Sequence, residues 1–532
     1  MRQHIPRHAS AGRLAFLLLA ASLVISSSPV AAVTSIARGP STTTDPYVLP
    51  VAERVRITSL LTVNDAGAAG NGYEMVGIPD GIGLAIEGGR AVAYMNHELR
   101  DAQGIVRRHG QIGAFASRLE IDRRTLAVAA GSDLVDPGVR FYDYPSGAYV
   151  TSGARFADGM LQDATFGRWC SSTLTSPGLL YSESQRVGYH GQIYFGNEED
   201  GDVGRTFGVL TDGTAKALPR LGLFQWENTI PADNRSATTV VMGQEDGPAG
   251  PTSQLWVYVG TKQRNGDAFD RAGLTNGRSL VIDAVNQAVT TDAEWRAAVG
   301  TGVPAPITLN EVPWNQSGAA QNAQALASGL GLNRIEDGYW DPHDRDRFYF
   351  LTTEGGDTTT TFPYTRDGGG LWRLEFKDVD RPRQGATLTL LLDGSEEIAP
   401  GKPKMNKPDN MTIDRHGNLL IQEDPGNNAH LARILAYRLR DGALGVVARF
   451  DRNRFQAGGS SFLTEDEESS GIIDADQAFG RGSFLFDAQV HTASGLPSGT
   501  GPNTVQEYVE NGQLLLLRVG NWGAVYGPDE DD

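Results

Sequence analysis

Carboxylate, amide and imidazole groups recur at one end of six short apolar runs in this chain. The runs are AVAYMNHE (Ala91–Glu98), QIYFGNEED (Gln192–Asp200), TTVVMGQED (Thr238–Asp246), RFYFLTTE (Arg347–Glu354), NLLIQED (Asn418–Asp424) and SFLFDAQVH (Ser483–His491). Each reads as a β-strand by its length and its content of Val, Ile, Tyr, Phe and Leu. Glu is disfavoured in strands and is not a preferred turn former, so its repetition at strand ends has another cause. Oxygen donors of this kind are hard ligands that suit Ca²⁺, Mg²⁺ or Mn²⁺. The single cysteine, Cys170, adds a softer donor, and one thiol cannot close an internal disulfide.

Folding each run back on the segment before it brings in partners. Asp409 and Glu423 are equidistant from His416-Gly417, Glu336 and Glu354 from Arg345, and Glu227 and Glu245 from Ser236. Asp80 and His97-Glu98 flank Gly88-Gly89, Cys170 and Glu198 flank Ser184, and Glu468 and Gln489 flank Ala478-Phe479. Equidistant residues lie side by side in an antiparallel hairpin. Six hairpins with ligand atoms at their mouths are therefore expected, with Cys170, Glu198, Glu227, Glu245, Glu336, Glu354, Asp409 and Glu423 as candidate metal ligands. Neighbours on a strand point to opposite faces, so only one member of Glu198-Glu199 and of Glu245-Asp246 can face a shared site. So many converging carboxylates need cations, or they repel and protonate. Arg334 stands two residues before Glu336, on the same face of an extended segment, and is formed to grip a phosphate or carboxylate oxygen pair. Lys262 and Lys407 are further substrate-binding candidates. No GxSxG elbow, Walker loop or HExxH motif occurs.

These groups need a scaffold that brings six strand ends together. Of the 532 residues, 65 are Gly and 26 Pro, and Thr291–Val299 is the one passage with helical flavour. Many short strands between Gly, Asp and Asn turns indicate an all-β chain. A six-bladed β-propeller with long inserted loops would converge the mouths on a central channel, whereas a sandwich would scatter them at two rims. Met1–Ala32 reads as a secretory signal peptide without an Arg-Arg pair, leaving 33–532 as a single propeller domain. A secreted or periplasmic monomer without a stable membrane span is expected. A net charge of −18 with dispersed Lys and Arg argues against nucleic acid.

The chain resembles the PhoX family of bacterial alkaline phosphatases. The matching stretches include PDGIG (Pro79–Gly83), NHEL (Asn96–Leu99), RWCSSTL (Arg168–Leu174), YFGNEEDG (Tyr194–Gly201) and WEN (Trp226–Asn228). Further on come RIEDGYWDP (Arg334–Pro342), KPDNMTID (Lys407–Asp414), GNLLIQED (Gly417–Asp424) and FDAQVH (Phe486–His491). The resemblance implies a six-bladed propeller whose channel holds Fe³⁺ and Ca²⁺ and which hydrolyses small phosphate monoesters by a metal-bound oxide or hydroxide. It implies Cys170, Glu227 and Glu336 as iron ligands, Arg334 beside the phosphate, and Glu198, Asp409 and Glu423 as calcium or bridging ligands. Two other readings of the same residues stand beside it: a calcium-propeller lactonase or esterase, and a calcium-stabilised propeller that binds without catalysis.

Overall fold

The computed structural model of the protein describes residues 35–151, 165–248, 250–353, 368–394 and 404–527. The segment read as a signal peptide and Glu354 lie outside the described residues. Strands dominate. The six expected hairpins form from β1 (Pro79–Glu87) with β2 (Arg90–His97), β3 (Trp169–Leu174) with β4 (Ile193–Glu198), and β5 (Trp226–Pro231) with β6 (Thr238–Glu245). The others are β7 (Ile335–Trp340) with β8 (Arg347–Thr352), β9 (Pro408–Ile413) with β10 (Asn418–Glu423), and β11 (Glu467–Asp474) with β12 (Ser483–Val490). In the first, Gly88 and Gly89 both have positive φ (54° and 83°) between Glu87 and Arg90. That is the mirror-image turn whose twist matches the flanking strands.

Two more antiparallel strands extend each hairpin outward, so the described residues contain six four-stranded antiparallel runs. Ala305–Val312 bridges the third and fourth runs into one nine-stranded sheet. The fourth strand of the last run comes from the other end of the chain: Val55–Thr62 pairs with Asn511–Val519. The first strands β1, β3, β5, β7, β9 and β11 adjoin one another in that order, and β11 returns to β1. The result is a propeller-like ring around a central axis.

The core lies between neighbouring four-stranded runs. Trp169, Tyr94 and Phe207 fill the gap between the first and second runs, Trp226, Phe195 and Trp256 the next, and Val240, Phe348 and Trp372 the third. Leu351 with Ile421, Leu420 with Phe484, and Leu485 with Leu119 continue round the ring. A fully buried side chain of this size contributes about 1.5–3 kcal/mol, so each gap holds its two sheets in a fixed relation. The helical passage near Thr291–Val299 is a helix over Asp292–Ala298, with Thr291 and Glu294 forming a capping box. A longer helix, Gly318–Ser328, was not expected; its Ala-rich sequence carries helix propensity, and Ser317 caps it.

Candidate active site

Six equivalent backbone hydrogen bonds tie the hairpin mouths. The N–H of Glu98 donates to the Ile78 carbonyl, Glu199 to Arg168, Asp246 to Gln225, Thr353 to Arg334, Asp424 to Lys407 and His491 to Asp466, at 2.9–3.0 Å. Two residues beyond each accepting carbonyl stand Asp80, Cys170, Glu227, Glu336, Asp409 and Glu468. In the first five mouths this residue sits on an irregularity of the ladder. Pro79 pairs with His97, Trp169 with Glu198, Trp226 with Glu245, Ile335 with Thr352 and Pro408 with Glu423, and the register then shifts before pairing resumes three residues later. A bulge of this kind re-aims a side chain, and bulges concentrate beside functional sites. Here the same bulge, five times over, sends a ligand-type side chain toward the axis.

Gly81, in the first bulge, shows how tightly the inner strands meet. A Cβ there would lie 2.1 Å from the Ser172 N of β3. Four of the six residues that accept the mouth hydrogen bond are also unusual: Ile78, Arg168, Arg334 and Lys407 have φ between 37° and 56°. Left-handed backbone on non-glycine residues is costly and clusters at functional sites.

Three overlapping groups result. The ligand atoms of Asp80, Glu98 and Cys170 lie within 4.8 Å of one another, as do those of Cys170, Glu199 and Glu227, and those of Glu227, Glu336 and Asp409. Cys170 and Glu227 are shared, so the groups form one continuous arc. Burial, and then neighbouring carboxylates, push the carboxyls of Asp80, Glu227, Glu336 and Asp409 well above the usual range. Burial, then Asp80 and Glu227, push the Cys170 thiol up in the same way. Glu227 Oε1 is buried with no hydrogen-bond partner among the described residues. A thiolate and several carboxylates aimed at one space, with an orphaned oxygen among them, fit cations: bound charge would reverse the repulsion and hold these groups ionised.

Two guanidiniums stand over the arc. Arg334 donates through Nε and an Nη to both Asp246 oxygens, at 2.9 and 2.8 Å, and lies 3.2 Å from Glu336 Oε1. Arg168, two runs away round the ring, bridges two acids, reaching Glu98 Oε1 at 2.6 Å and Glu199 Oε1 at 3.1 Å. Each occupies the same place in its mouth, two residues before a ligand-type side chain. Below the bulges the axis opens into a cavity of about 140 Å³, roofed by Asn228 and Asp337 and walled by Ile230, Trp340, Met411 and Ile472. Asp337 accepts from Asn228 Nδ2 at 2.8 Å and from the Gly338 and Met411 N–H groups, and burial lifts its carboxyl to about 7.

The expected residues divide. Cys170, Glu227, Glu336, Asp409 and Arg334 come together. Glu198, Glu245 and Glu423 pair with the residue before each ligand and point away from the arc. Arg205 clamps Glu198 with contacts of 2.5 and 2.7 Å. Trp256 Nε1 donates to Glu245 at 2.8 Å, and burial raises that carboxyl to about 8. Glu423 meets Arg433 and His430; burial alone would raise its carboxyl, but these hydrogen bonds outweigh it and hold it low. The next residue of each strand, Glu199, Asp246 or Asp424, faces the axis instead. Lys262 lies at the far turn of the third hairpin, donating at 3.0 Å to Asn234 O and Oδ1, Ser236 O and Thr238 O. Lys407 is at the fifth mouth but donates to the Pro425 carbonyl. Asp80, Glu98, Glu199 and Arg168 were not among the candidate site residues, although Arg168 carries the signal that marked Arg334: an arginine two residues before a ligand.

The model of the PhoX alkaline phosphatase family matches the chain over residues 186–471, just over half its length. The chain belongs to that family. It is accordingly a phosphoric monoester hydrolase, although Asp80, Glu98 and Cys170 precede the matched span. Among solved structures it is similar to Pseudomonas fluorescens PhoX in complex with vanadate, described as a transition state analogue, with a TM-score of 0.60 and 13% identity over 90% of this chain and 97% of that one. At that identity the likeness shows a shared fold. A protein of unknown function from Dyadobacter fermentans has a TM-score of 0.40 at 9% identity, covering 89% of this chain and 100% of that one. No curated protein matches the sequence. No helix among the described residues is long and apolar enough to cross a membrane.

Proposed function

We propose that the chain is an exported phosphomonoesterase whose cations lie along the arc of Asp80, Cys170, Glu227, Glu336 and Asp409, in the channel of a six-bladed propeller. The observation that carries the reading is the set of three overlapping ligand groups beneath two guanidiniums. The six four-stranded runs support the blade count. A thiolate among carboxylates suits iron at Cys170, Glu199 and Glu227, and the oxygen-only group of Glu227, Glu336 and Asp409 suits calcium. Glu198, Glu245 and Glu423 would brace the mouths from behind. Export would use the Met1–Ala32 segment, and the protein would act as a monomer on a small phosphate ester.

When bound, the cations supply Lewis acidity at the phosphoryl group. The side chains of this chain do the positioning. Arg334 and Arg168 present planar forks toward the axis, each held in orientation by a pair of carboxylates, and such forks match two phosphate oxygens. A phosphate entering between them would exchange carboxylate oxygens for phosphate oxygens without moving either guanidinium far. Lys407, with its left-handed backbone at the fifth mouth, adds positive charge on the same rim.

The test is phosphate release from an aryl phosphate by natively exported protein. Cys170→Ala, Glu336→Ala and chelation should each abolish it. Full activity in Cys170→Ala would overturn the role of the thiolate, and lactone hydrolysis without phosphate release would overturn the phosphomonoesterase reading.

A further inference from the structure

One layer below the sixth mouth is a carboxylate that the arc does not use. Asp487, on β12, is fully buried, and both its oxygens lack a hydrogen-bond partner among the described residues. The six strands β2, β4, β6, β8, β10 and β12 can be aligned on the repeated mouth hydrogen bond. In that alignment Asp487 stands where the others carry Tyr94, Phe195, Met242, Tyr349 and Leu420. Five sister positions pack the core, and the sixth buries an unpartnered acid. An isolated buried carboxylate is too costly to retain without a counter-charge or a proton.

The surroundings supply more oxygen. Gly471, with φ 40°, lets its strand approach so closely that a Cβ there would lie 2.7 Å from the Asp80 carbonyl oxygen and 3.0 Å from Asp487 Oδ2, so the two oxygens converge beside it. Gln489, two residues along β12 and on the same face, donates its amide N–H groups to Asp80 Oδ2 at 3.1 Å and Glu98 Oε2 at 3.3 Å. Its Oε1 is buried without a partner. The side chain of Asp80 is engaged by the Gly81 N–H, Cys170 Sγ and the Gln489 amide, which leaves its backbone carbonyl as the free donor beside Gly471. A carboxylate, a backbone carbonyl and an amide oxygen are the donor types that calcium takes.

We propose that Asp487 is the carboxylate of a separate hard-cation site, completed by the Asp80 carbonyl and Gln489 Oε1, whose oxygens converge beside Gly471. The site holds calcium or a cation of the same class. It borders the thiolate-containing arc through Asp80 and Gln489 but takes different ligand atoms, and it does not depend on the phosphatase reading.

The test uses the full chain, stripped with chelator and then titrated with calcium chloride, with elemental analysis and thermal melting as readouts. Asp487→Asn should bind one calcium fewer per chain than wild type, keep the metal held with Cys170, and show a smaller rise in Tm on calcium addition. In chelator it should melt at or above wild type, because a neutral amide replaces an unpaired carboxylate. Asp487→Leu, which copies Leu420 at the sister position, should behave alike and decides the matter if the Asn variant is insoluble. Unchanged calcium content and an unchanged calcium-dependent Tm in these variants would overturn the site, as a carboxyl kept neutral by a proton would give. Phosphate release scored on the same preparations separates the two readings: lost phosphatase activity with an unchanged calcium count overturns the Asp487 site and leaves the phosphatase reading standing.

Discussion

Arg168 and Arg334 are related by the repeat, yet each is held by a different pair of acids. Truncating either to Ala removes a charge-assisted fork worth about 1.5–3 kcal/mol, so kcat/KM should fall about 10- to 150-fold. If the forks grip ground-state phosphate, steady-state kinetics will show most of the loss in KM, with partial recovery in the Lys variants. Glu245 offers a separate test through pH. Its carboxyl, raised to about 8 by burial, titrates near 4.5 in an unfolded chain. Between those values the folded state keeps a proton that the unfolded chain has lost, so stability falls as pH rises through the window. Each unit of such a shift is about 1.4 kcal/mol. Glu245→Gln keeps an amide oxygen for Trp256 and has no proton to lose. Its Tm relative to wild type should therefore climb from pH 4.5 to pH 8, and a flat difference would count against a neutral Glu245.

The hairpins were legible because their arms are equal in length and their turns carry Gly, Asp or Asn. What the sequence could not show is the bulge. Counting residues from the turn pairs Asp409 with Glu423; in the structure Pro408 pairs with Glu423, and the bulge carries Asp409 toward the axis. That offset of one residue exchanges the two faces of the second strand. It explains why Glu199 and Asp246 face the arc while Glu198 and Glu245 do not. The alternation was legible; its phase was not, because a bulge depends on how neighbouring inner strands press together, as at Gly81. Lys262 was misleading for a related reason: its charge was legible, but not that it belongs to the outer end of a hairpin. There its ammonium satisfies four oxygens of the turn after β5. Lys262→Met would leave those acceptors buried and unmet, at about 1–3 kcal/mol or more. Urea unfolding should register the loss, while metal content stays that of wild type.

At the scale of the molecule, the ring joins six four-stranded runs whose inner ends carry mutually repelling acids. Cations that bind only the folded ring stabilise it by mass action. Chelation should lower Tm most at neutral and higher pH, where the acids of the arc would otherwise ionise, and least in acid, where they are protonated. Scanning calorimetry with and without chelator across pH 5–8 tests this; an equal loss at every pH would place the cations elsewhere. Removing residues through Thr62 should expose the edge of Asn511–Val519 and give aggregated protein, since an unpaired strand edge templates association.

The pairing of Val55–Thr62 with Asn511–Val519 also sets a clock on biogenesis. One edge of Val55–Thr62 is met early by Ser35–Arg38, but its other edge has no partner until nearly the whole polypeptide has left the ribosome or translocon. Throughout that delay the edge needs shielding by a chaperone or by slow handover. The junction between the first and last sheets is where Gln489 reaches across to Asp80 and Glu98. An ion seated at Asp487 would therefore act as a rivet driven last, locking a ring that becomes resistant to proteolysis only once its two ends have met.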